Sequence, residues 1–339
     1  MSNPPVSQSG ALRVAVVGAG GWGEQHARIF SRRADTELVA VVGRNAEKTH
    51  ARAAAYGAHG YTDLDEMLEV EHPDLVTVCL PNEGHFEVTR ELLRRSIPLL
   101  VEKPLVFSLD EADELLALAN ANNTFFGINF NHRFAEPVQR ALAAITGGQL
   151  GDLVFATWRF GGEANYGDSR HANLIETQCH GLDMLELLVG PITSVMAQMT
   201  DKTYGACSTI AVALEFENGA VGTLLGSYDS SYAYPDSQLV ELNGTVGRAV
   251  IHDTVRSLTL QTAGDEVASV WQAGYFNDEA RSFQGTFDRH VDRLVSALRA
   301  GGPPPVPASA GRRALELAVA IVESYEGGRR VGTTPTGPH

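Results

Sequence analysis

The sequence predicts an α/β protein in two parts: a doubly wound parallel sheet over residues 11–131, then a domain with a mainly antiparallel sheet over 132–330. Three observations carry this. From Leu12 to Pro104, short β-rich apolar runs alternate with segments of helical periodicity, the rhythm of parallel strands joined by crossover helices. A glycine-rich loop follows the first of those runs. Beyond residue 150, strand-like runs succeed one another with few helices between them, which argues for antiparallel pairing.

In the first part, LRVAVVG, ELVAVVG, LVTVCLP and IPLLVE read as strands, and GEQHARIFSRR, AEKTHARAAAYG and HFEVTRELLRRS as the helices between them. SLDEADELLALANAN begins with Ser108 as N-cap and Glu111 three residues on, and the strand-like TFFGINFN follows it. In the second part AEPVQRALAAITGG reads as a helix. GDLVFATWRF, ITSVMAQMT, STIAVALEF, AVGTLLGSY, QLVELNG, RAVIHD and SLTLQT read as strands, with a hairpin turn at Glu217-Asn218-Gly219. One helix, LIETQCHGLDMLELLVG, interrupts the series, and two more near the end flank GGPPPVP, which cannot be helical.

With 339 residues, 44 % of them hydrophobic types, two domains are the expectation. The N-terminal stretch lacks the pattern of an export signal, and no apolar run approaches the roughly 18 residues that span a bilayer. Cys79, Cys179 and Cys207 form no CxxC pair, so a cytoplasmic protein is expected. A net charge of −15 opposes binding to nucleic acid or anionic lipid.

The loop after the first strand is GAGGWG. Gly18, Gly20 and Gly23 occupy the glycine positions of G-x-G-x-x-G, with Gly21 and Trp22 between them. The first serves a tight turn, the second a close approach of backbone to pyrophosphate, and the third close helix packing; a helix N-terminus adds N–H donors. Placed after a strand and opening a helix, the motif predicts a Rossmann dinucleotide site. The second strand ends Val42-Gly43-Arg44-Asn45, with no carboxylate to accept bonds from ribose hydroxyls. Arg44 is suited to pair with a 2′-phosphate, favouring NADP over NAD, or to stack on adenine, and Asn45 is the alternative ribose contact.

Ligands of doubly wound sheets lie at the carboxyl ends of the strands. Leu80, Asn82 and His85 follow one strand, and Glu102 and Lys103 of LLVEKPL follow the next, so these residues are expected to line the nicotinamide end. On the later helix, Glu176, His180, Asp183 and Leu187 are spaced to share a face. A histidine held by a carboxylate, with a lysine to stabilise an alkoxide, would serve oxidation of a secondary alcohol. A structural histidine, a metal-ligating pair and a surface i,i+4 pair compete with that reading; no third ligand is adjacent, and no metal is expected.

The combination VVGAGGWG, LPNEGH, LLVEKPL and ETQCHGLDMLELLVG resembles the Gfo/Idh/MocA oxidoreductase family over about residues 11 to 330. The resemblance implies NAD(H)- or NADP(H)-dependent redox chemistry on sugar or cyclitol carbons. It also implies a C-terminal domain whose large open-faced sheet joins subunits into a homodimer or homotetramer. On this sequence Lys103 matches the catalytic lysine, His180 the acid/base histidine, and Glu176 a position usually held by aspartate; glutamate there could pair with substrate or with His180. Substrate contacts are expected from WRFGGEANYGDSRHAN, in particular Trp158, Arg159, Glu163, Asn165, Tyr166 and His171, together with Lys103, Glu176 and His180. Glu163, Asp168 and Glu176 admit an amino sugar, and hence a dehydrogenase making a ketosugar for transamination in an aminoglycoside-type pathway. Two alternatives share the fold: a redox-inactive dinucleotide-sensing regulator, against which Lys103 and His180 argue, and a glycosidase that oxidises its substrate transiently with bound NAD.

Overall fold

The computed structural model describes residues 10–81, 84–162, 170–202 and 206–334, and these fall into two compact units. The first comprises the described residues up to Asn129 together with 290–312; the second comprises 130–289 and the described residues from 313. Among the described residues no helix is long and apolar enough to cross a membrane.

The first unit runs β1 (Leu12–Val17), α1 (Gly21–Arg32), β2 (Thr36–Val42), α2 (Ala46–Ala55), β3 (His59–Tyr61), α3 (Leu64–Glu71), β4 (Leu75–Val78), α4 (His85–Arg94), β5 (Leu99–Val101), α5 (Leu109–Ala121) and β6 (Phe126–Ile128). The six strands are parallel in the order β3-β2-β1-β4-β5-β6. Because crossover helices cover both faces, the central strands bury every residue: Leu75–Val78 and Leu99–Val101 are fully enclosed. The order reverses between β1 and β4, which places the loops after β1, β4 and β5 at one switch point.

Two elements here carry no clear sequence pattern. β3 is three partly exposed residues, HGY, paired with β2 only at the sheet's edge. α3 buries just Met67, Leu68 and Glu71. Their presence makes LLVEKPL the end of the fifth strand in chain order rather than the fourth.

In the second unit a 3₁₀ turn (Asn131–Phe134) leads into α6 (Glu136–Thr146), β7 (Leu153–Gly161), a π turn (Asn173–Thr177) and α7 (Cys179–Val189). Then come β8 (Ile192–Thr200), β9 (Thr209–Phe216), β10 (Val221–Ser227), β11 (Gln238–Gly244), β12 (Gly247–His252), β13 (Ser257–Thr262), β14 (Ala268–Gln272) and α8 (Asp278–Arg281). The chain closes with α9 (Gln284–Arg299), α10 (Ala308–Gly327) and β15 (Val331–Gly332). The nine strands form one sheet, β14-β13-β12-β11-β7-β10-β9-β8-β15, in which only β7 and β10 are parallel. The turn at Glu217–Gly219 joins β9 to β10 as the sequence leads one to expect, with Gly219 at φ 85°.

Alternation is strict where one face is packed. In β9, Ile210, Val212, Leu214 and Phe216 are buried while Ala211 and Ala213 are exposed. The buried face joins Val138 of α6, Leu182 and Leu185 of α7, and Leu317 and Ile321 of α10 in one apolar cluster. On the other face Phe155, Met196, Val221 and Leu225 lie open, and Val221 and Phe155 are register partners.

Candidate functional site

The glycine loop divides its residues between two tasks. At Gly18, φ is 123°, and a Cβ there would stand 2.3 Å from the Cys79 carbonyl oxygen. At Gly23, in the first turn of α1, a Cβ would lie 1.7 Å from the Gly18 carbonyl oxygen. These two glycines are therefore demanded by the protein's own packing. Gly20 and Gly21 are not: nothing lies within 4 Å of a Cβ at either. Gly20 is the N-cap of α1 and provides no side-chain capping bond, so the amides of the first turn stand ready for an anion. Trp22, on that turn, is 48 % exposed. An open cradle at a helix start, framed by glycines that fix its shape, fits a dinucleotide pyrophosphate.

At the end of β2, a Cβ on Gly43 would meet Thr49 Oγ1 at 2.6 Å and Ala19 Cβ at 3.3 Å. Packing thus excludes a carboxylate from this position whatever the cofactor. Asn45 is the N-cap of α2; its Oδ1 accepts the Lys48 N–H at 2.9 Å, so the carbonyl oxygen serves the helix and only the amide nitrogen is left for a ribose. Arg44 is exposed beside it.

Beyond β4, Leu80 is half-buried, and Asn82 lies outside the described residues. His85 opens α4 and is buried; its Nδ1 pairs with the Leu105 carbonyl at 3.0 Å and so donates. Burial lowers its pKa, against the opposing pull of the Leu105 and Val78 backbone and of Glu102, which leaves a neutral ring.

Glu102 departs from the expectation that it lines the nicotinamide end. Its side chain turns inward, 4 % exposed, where Oε1 meets His26 Nε2 at 2.8 Å and accepts from Asn129 Nδ2 at 2.7 Å. Asn129 Oδ1 in turn accepts from His290 Nδ1 at 2.7 Å. Burial pushes the Glu102 pKa up, but the bond and charge of His26 outweigh it and hold the carboxyl below its ordinary range. Burial likewise opposes charge on His26, and Cys79 and Glu102 overcome it, raising the imidazole to about 10. The two neighbours in LLVEKPL therefore diverge: the carboxylate faces the interior, and Lys103 is only half-buried.

In the second unit, LIETQCHGLDMLELLVG is not one continuous α-helix. Asn173–Thr177 form a π turn, and α7 starts at Cys179, so Glu176 and His180 sit on either side of a change in helical pitch. Glu176 is half-buried and His180 is 7 % exposed. The His180 ring stacks on His132, 4.1 Å between centroids and 11° from parallel, with Phe130 edge-on at 5.7 Å. Asp183, which spacing alone aligns with His180, is engaged by both Nε and Nη2 of Arg133, the former at 2.8 Å. Burial opposes the Arg133 charge, but Asp183 carries its pKa upward.

Trp158 is a core residue, 1 % exposed; its indole N–H donates to Gln178 Oε1 at 3.0 Å, and its ring packs so closely on α7 that a Cβ at Gly181 would stand 2.4 Å from Nε1. Its contact with the site is therefore indirect, through the neighbouring His132 ring. Arg159 donates from Nε to the Asp236 carbonyl at 3.1 Å. His171 is half-buried, and burial and Arg170 lower its pKa. Glu163, Asn165, Tyr166 and Asp168 lie outside the described residues. Sequence reasoning missed His132 and Arg133. The signal for them was a polar Asn-His-Arg run at residues 131–133, shortly after the buried strand Phe126–Ile128. Among the described residues no group of three His, Cys, Asp or Glu side chains could hold a metal ion.

Residues 12–130 match the model described as "Oxidoreductase family, NAD-binding Rossmann fold", and residues 143–333 that described as "Oxidoreductase family, C-terminal alpha/beta domain", both of Gfo/Idh/MocA type. Inositol 2-dehydrogenase of Rhizobium meliloti is 24 % identical over 336 residues, 94 % of this chain and 98 % of that one. D-glucoside 3-dehydrogenase of Escherichia coli is 35 % identical over 153 residues, 44 % of each chain. Among solved structures, levoglucosan dehydrogenase in complex with NADH superposes with a TM-score of 0.88 at 18 % identity, covering 96 % of this chain and 100 % of that one, a likeness of fold.

Proposed function

The chain belongs to the Gfo/Idh/MocA oxidoreductase family, and we propose that it interconverts a secondary alcohol and a ketone on a sugar, amino sugar or cyclitol. The observation that carries this is the glycine loop: two glycines are packed to contact and two are left open at the start of α1. The open amides would hold the pyrophosphate, and a bound nicotinamide supplies the hydride acceptor or donor. Arg44, exposed at the end of β2 and able to pair with a 2′-phosphate, supports NADP as the preferred cofactor.

Of the chain's own groups, Lys103 stabilises the alkoxide as it forms and His180 takes the hydroxyl proton, returning it in the reverse direction. Glu176, at the pitch change before α7, orients the substrate or His180. Relatives named inositol 2-dehydrogenase, D-glucoside 3-dehydrogenase and D-xylose 1-dehydrogenase support a polyol substrate. The amino sugar, and with it a ketosugar destined for transamination in an aminoglycoside-type pathway, is supported by Glu176 and by the acidic residues Glu163 and Asp168 of the sequence. The open face bearing Phe155, Val221, Leu225 and Met196 supports a homodimer or homotetramer built on this sheet. Three buried free cysteines fit a reducing cytoplasm.

The test is absorbance at the reduced-nicotinamide band, with NAD and NADP, against free sugars, amino sugars, aminoglycosides, cyclitols and nucleotide sugars. Steady turnover with a polyol is expected. Cofactor binding without net turnover on any of them overturns the proposal in favour of a sensor or a glycosidase with transient oxidation.

A further inference from the structure

The π turn before α7 is held by two buried amides that the reaction itself does not use. Asn173 and Gln178, five residues apart, are joined twice. The Gln178 N–H donates to the Asn173 carbonyl at 2.9 Å, the backbone bond that closes a π turn, and Gln178 Nε2 donates to Asn173 Oδ1 at 3.0 Å. In an α-helix, residues five apart stand roughly 140° from one another about the axis and share no face; the wider turn brings these two together. Each side-chain bond has one possible direction. The Trp158 indole N–H can only donate, so the Gln178 atom it meets at 3.0 Å is Oε1, and Nε2 is turned to Asn173. At the other end the Ser208 carbonyl can only accept, so the Asn173 atom 2.7 Å from it is Nδ2, and Oδ1 is left for Gln178. Turning either amide over would set donor against donor at one of its ends and acceptor against acceptor at the other. Three adjacent strands frame the pair: Trp158 is on β7, Ser208 precedes β9, and between them Gly226 of β10 leaves room for the Gln178 amide, since a Cβ there would stand 2.3 Å from Gln178 Cδ.

Gln178 is also the residue at which the pitch changes. Its N–H ends the π turn, and its carbonyl accepts the Leu182 N–H at 3.0 Å to begin α7, midway between Glu176 and His180. Gln178 and Asn173 are 0 % and 2 % exposed, so loss of any one of these bonds leaves a buried polar group unpaired. We propose that Gln178 and Asn173, anchored on Trp158 and Ser208, are positioning residues that hold the π turn and thereby set the placement of Glu176 relative to His180 on which turnover depends. They act through those two side chains. The consequence for turnover rests on the reading of Glu176 and His180 as reacting groups given above; the holding of the turn does not.

The experiment combines hydrogen exchange and kinetics on the full chain. Gln178→Met keeps the length of the side chain and removes its donor and acceptor together; Trp158→Phe is the milder variant and removes only the indole N–H. The protein has three tryptophans, so the Trp158 indole signal in ¹H–¹⁵N spectra is assigned by its loss in Trp158→Phe. In the wild type that indole proton should exchange about 10²-fold or more slowly than the indole proton of Trp22, which is 48 % exposed. In Gln178→Met, protection of the backbone amide at position 178 should fall by about tenfold or more while the amides of β9 keep theirs. Well below the thermal midpoint, Gln178→Met should lower kcat by about 10–10²-fold, with KM for the polyol and dinucleotide affinity each within about threefold of wild type. Trp158→Phe should lower kcat by about threefold with the same split, and it carries both readouts if Gln178→Met does not fold. A loosened turn with wild-type kcat overturns the positioning role, and so does a loss confined to thermal stability. Undiminished protection of amide 178 in Gln178→Met overturns the holding of the turn. Full turnover by His180→Ala would instead defeat the assigned chemistry, while the exchange of amide 178 still decides whether the two amides hold the turn.

Discussion

His26 and Glu102, 76 residues apart in sequence, meet at 2.8 Å inside the first unit, one on the helix that the glycine loop opens and the other just past the end of β5. Both are almost fully buried, so neither charge has water to fall back on. The pair ties the cofactor loop's helix to the backbone that carries Lys103, whose N–H lies 3.3 Å from Glu102 Oε2.

This pair sets a pH window for stability. His26 is raised from 6.5 to about 10 on folding, so its contribution is complete below 6.5 and is lost as pH rises toward 10. Glu102 is lowered from 4.5, so its contribution is present above 4.5 and is lost as pH falls through its folded value. Urea midpoints measured against pH should show the greatest advantage of wild type over the double variant His26→Leu/Glu102→Leu between these limits. Removing His26 alone strands the carboxylate and should cost about 3 kcal/mol or more near neutrality. An advantage that stays constant from pH 5 to beyond pH 10 would rule out the ionised pair.

The four glycines of the loop should separate by phenotype. Gly23→Ala drives a methyl into the Gly18 carbonyl and should lower stability by about 1–3 kcal/mol, seen as a fall in thermal midpoint. Gly20→Ala meets no atom of the protein, so its thermal midpoint should hold. Its dinucleotide affinity, read by fluorescence titration with the reduced cofactor, should weaken by about tenfold, or 1.4 kcal/mol. Unchanged affinity in Gly20→Ala would mean that the cradle is not where pyrophosphate sits.

Cofactor choice should respond to Arg44. Replacing this exposed guanidinium in Arg44→Ala removes a phosphate partner without disturbing packing. The ratio of NADPH to NADH affinity should fall by about tenfold while the thermal midpoint is retained. If both affinities change alike, Arg44 stacks on the adenine and selects neither cofactor.

For the chemistry, Lys103→Ala and His180→Ala should each lower kcat by about 10²–10⁴-fold with dinucleotide affinity nearly intact. Wild-type rates in both variants would remove them from the reaction.

Much of this protein was legible before any coordinates. Strand-and-helix alternation, three glycines at their spacing and a lysine at a strand end are local patterns, because backbone conformation and face of burial depend on near neighbours. A tight turn at Gly18 and close helix packing at Gly23 are likewise expected from the motif, and the close contacts a Cβ would make at both positions agree with that. Other features depend on which chain segments become neighbours. Glu102 and Lys103 look like one charged exit from the sheet, but only the fold, which brings His26 of α1 to 2.8 Å from Glu102, turns the carboxylate inward. Gly43 looks like a cofactor signature, yet Thr49 and Ala19 exclude any larger side chain. Even spacing along LIETQCHGLDMLELLVG suggests a Glu-His-Asp face, whereas a π turn breaks it and Arg133 takes the aspartate. The stack of His132 on His180 belongs to no sequence period at all. It exists because a 3₁₀ turn and a helix far along the chain are brought together over the same sheet, and such contacts are set by strand order and packing, which one-dimensional spacing does not contain.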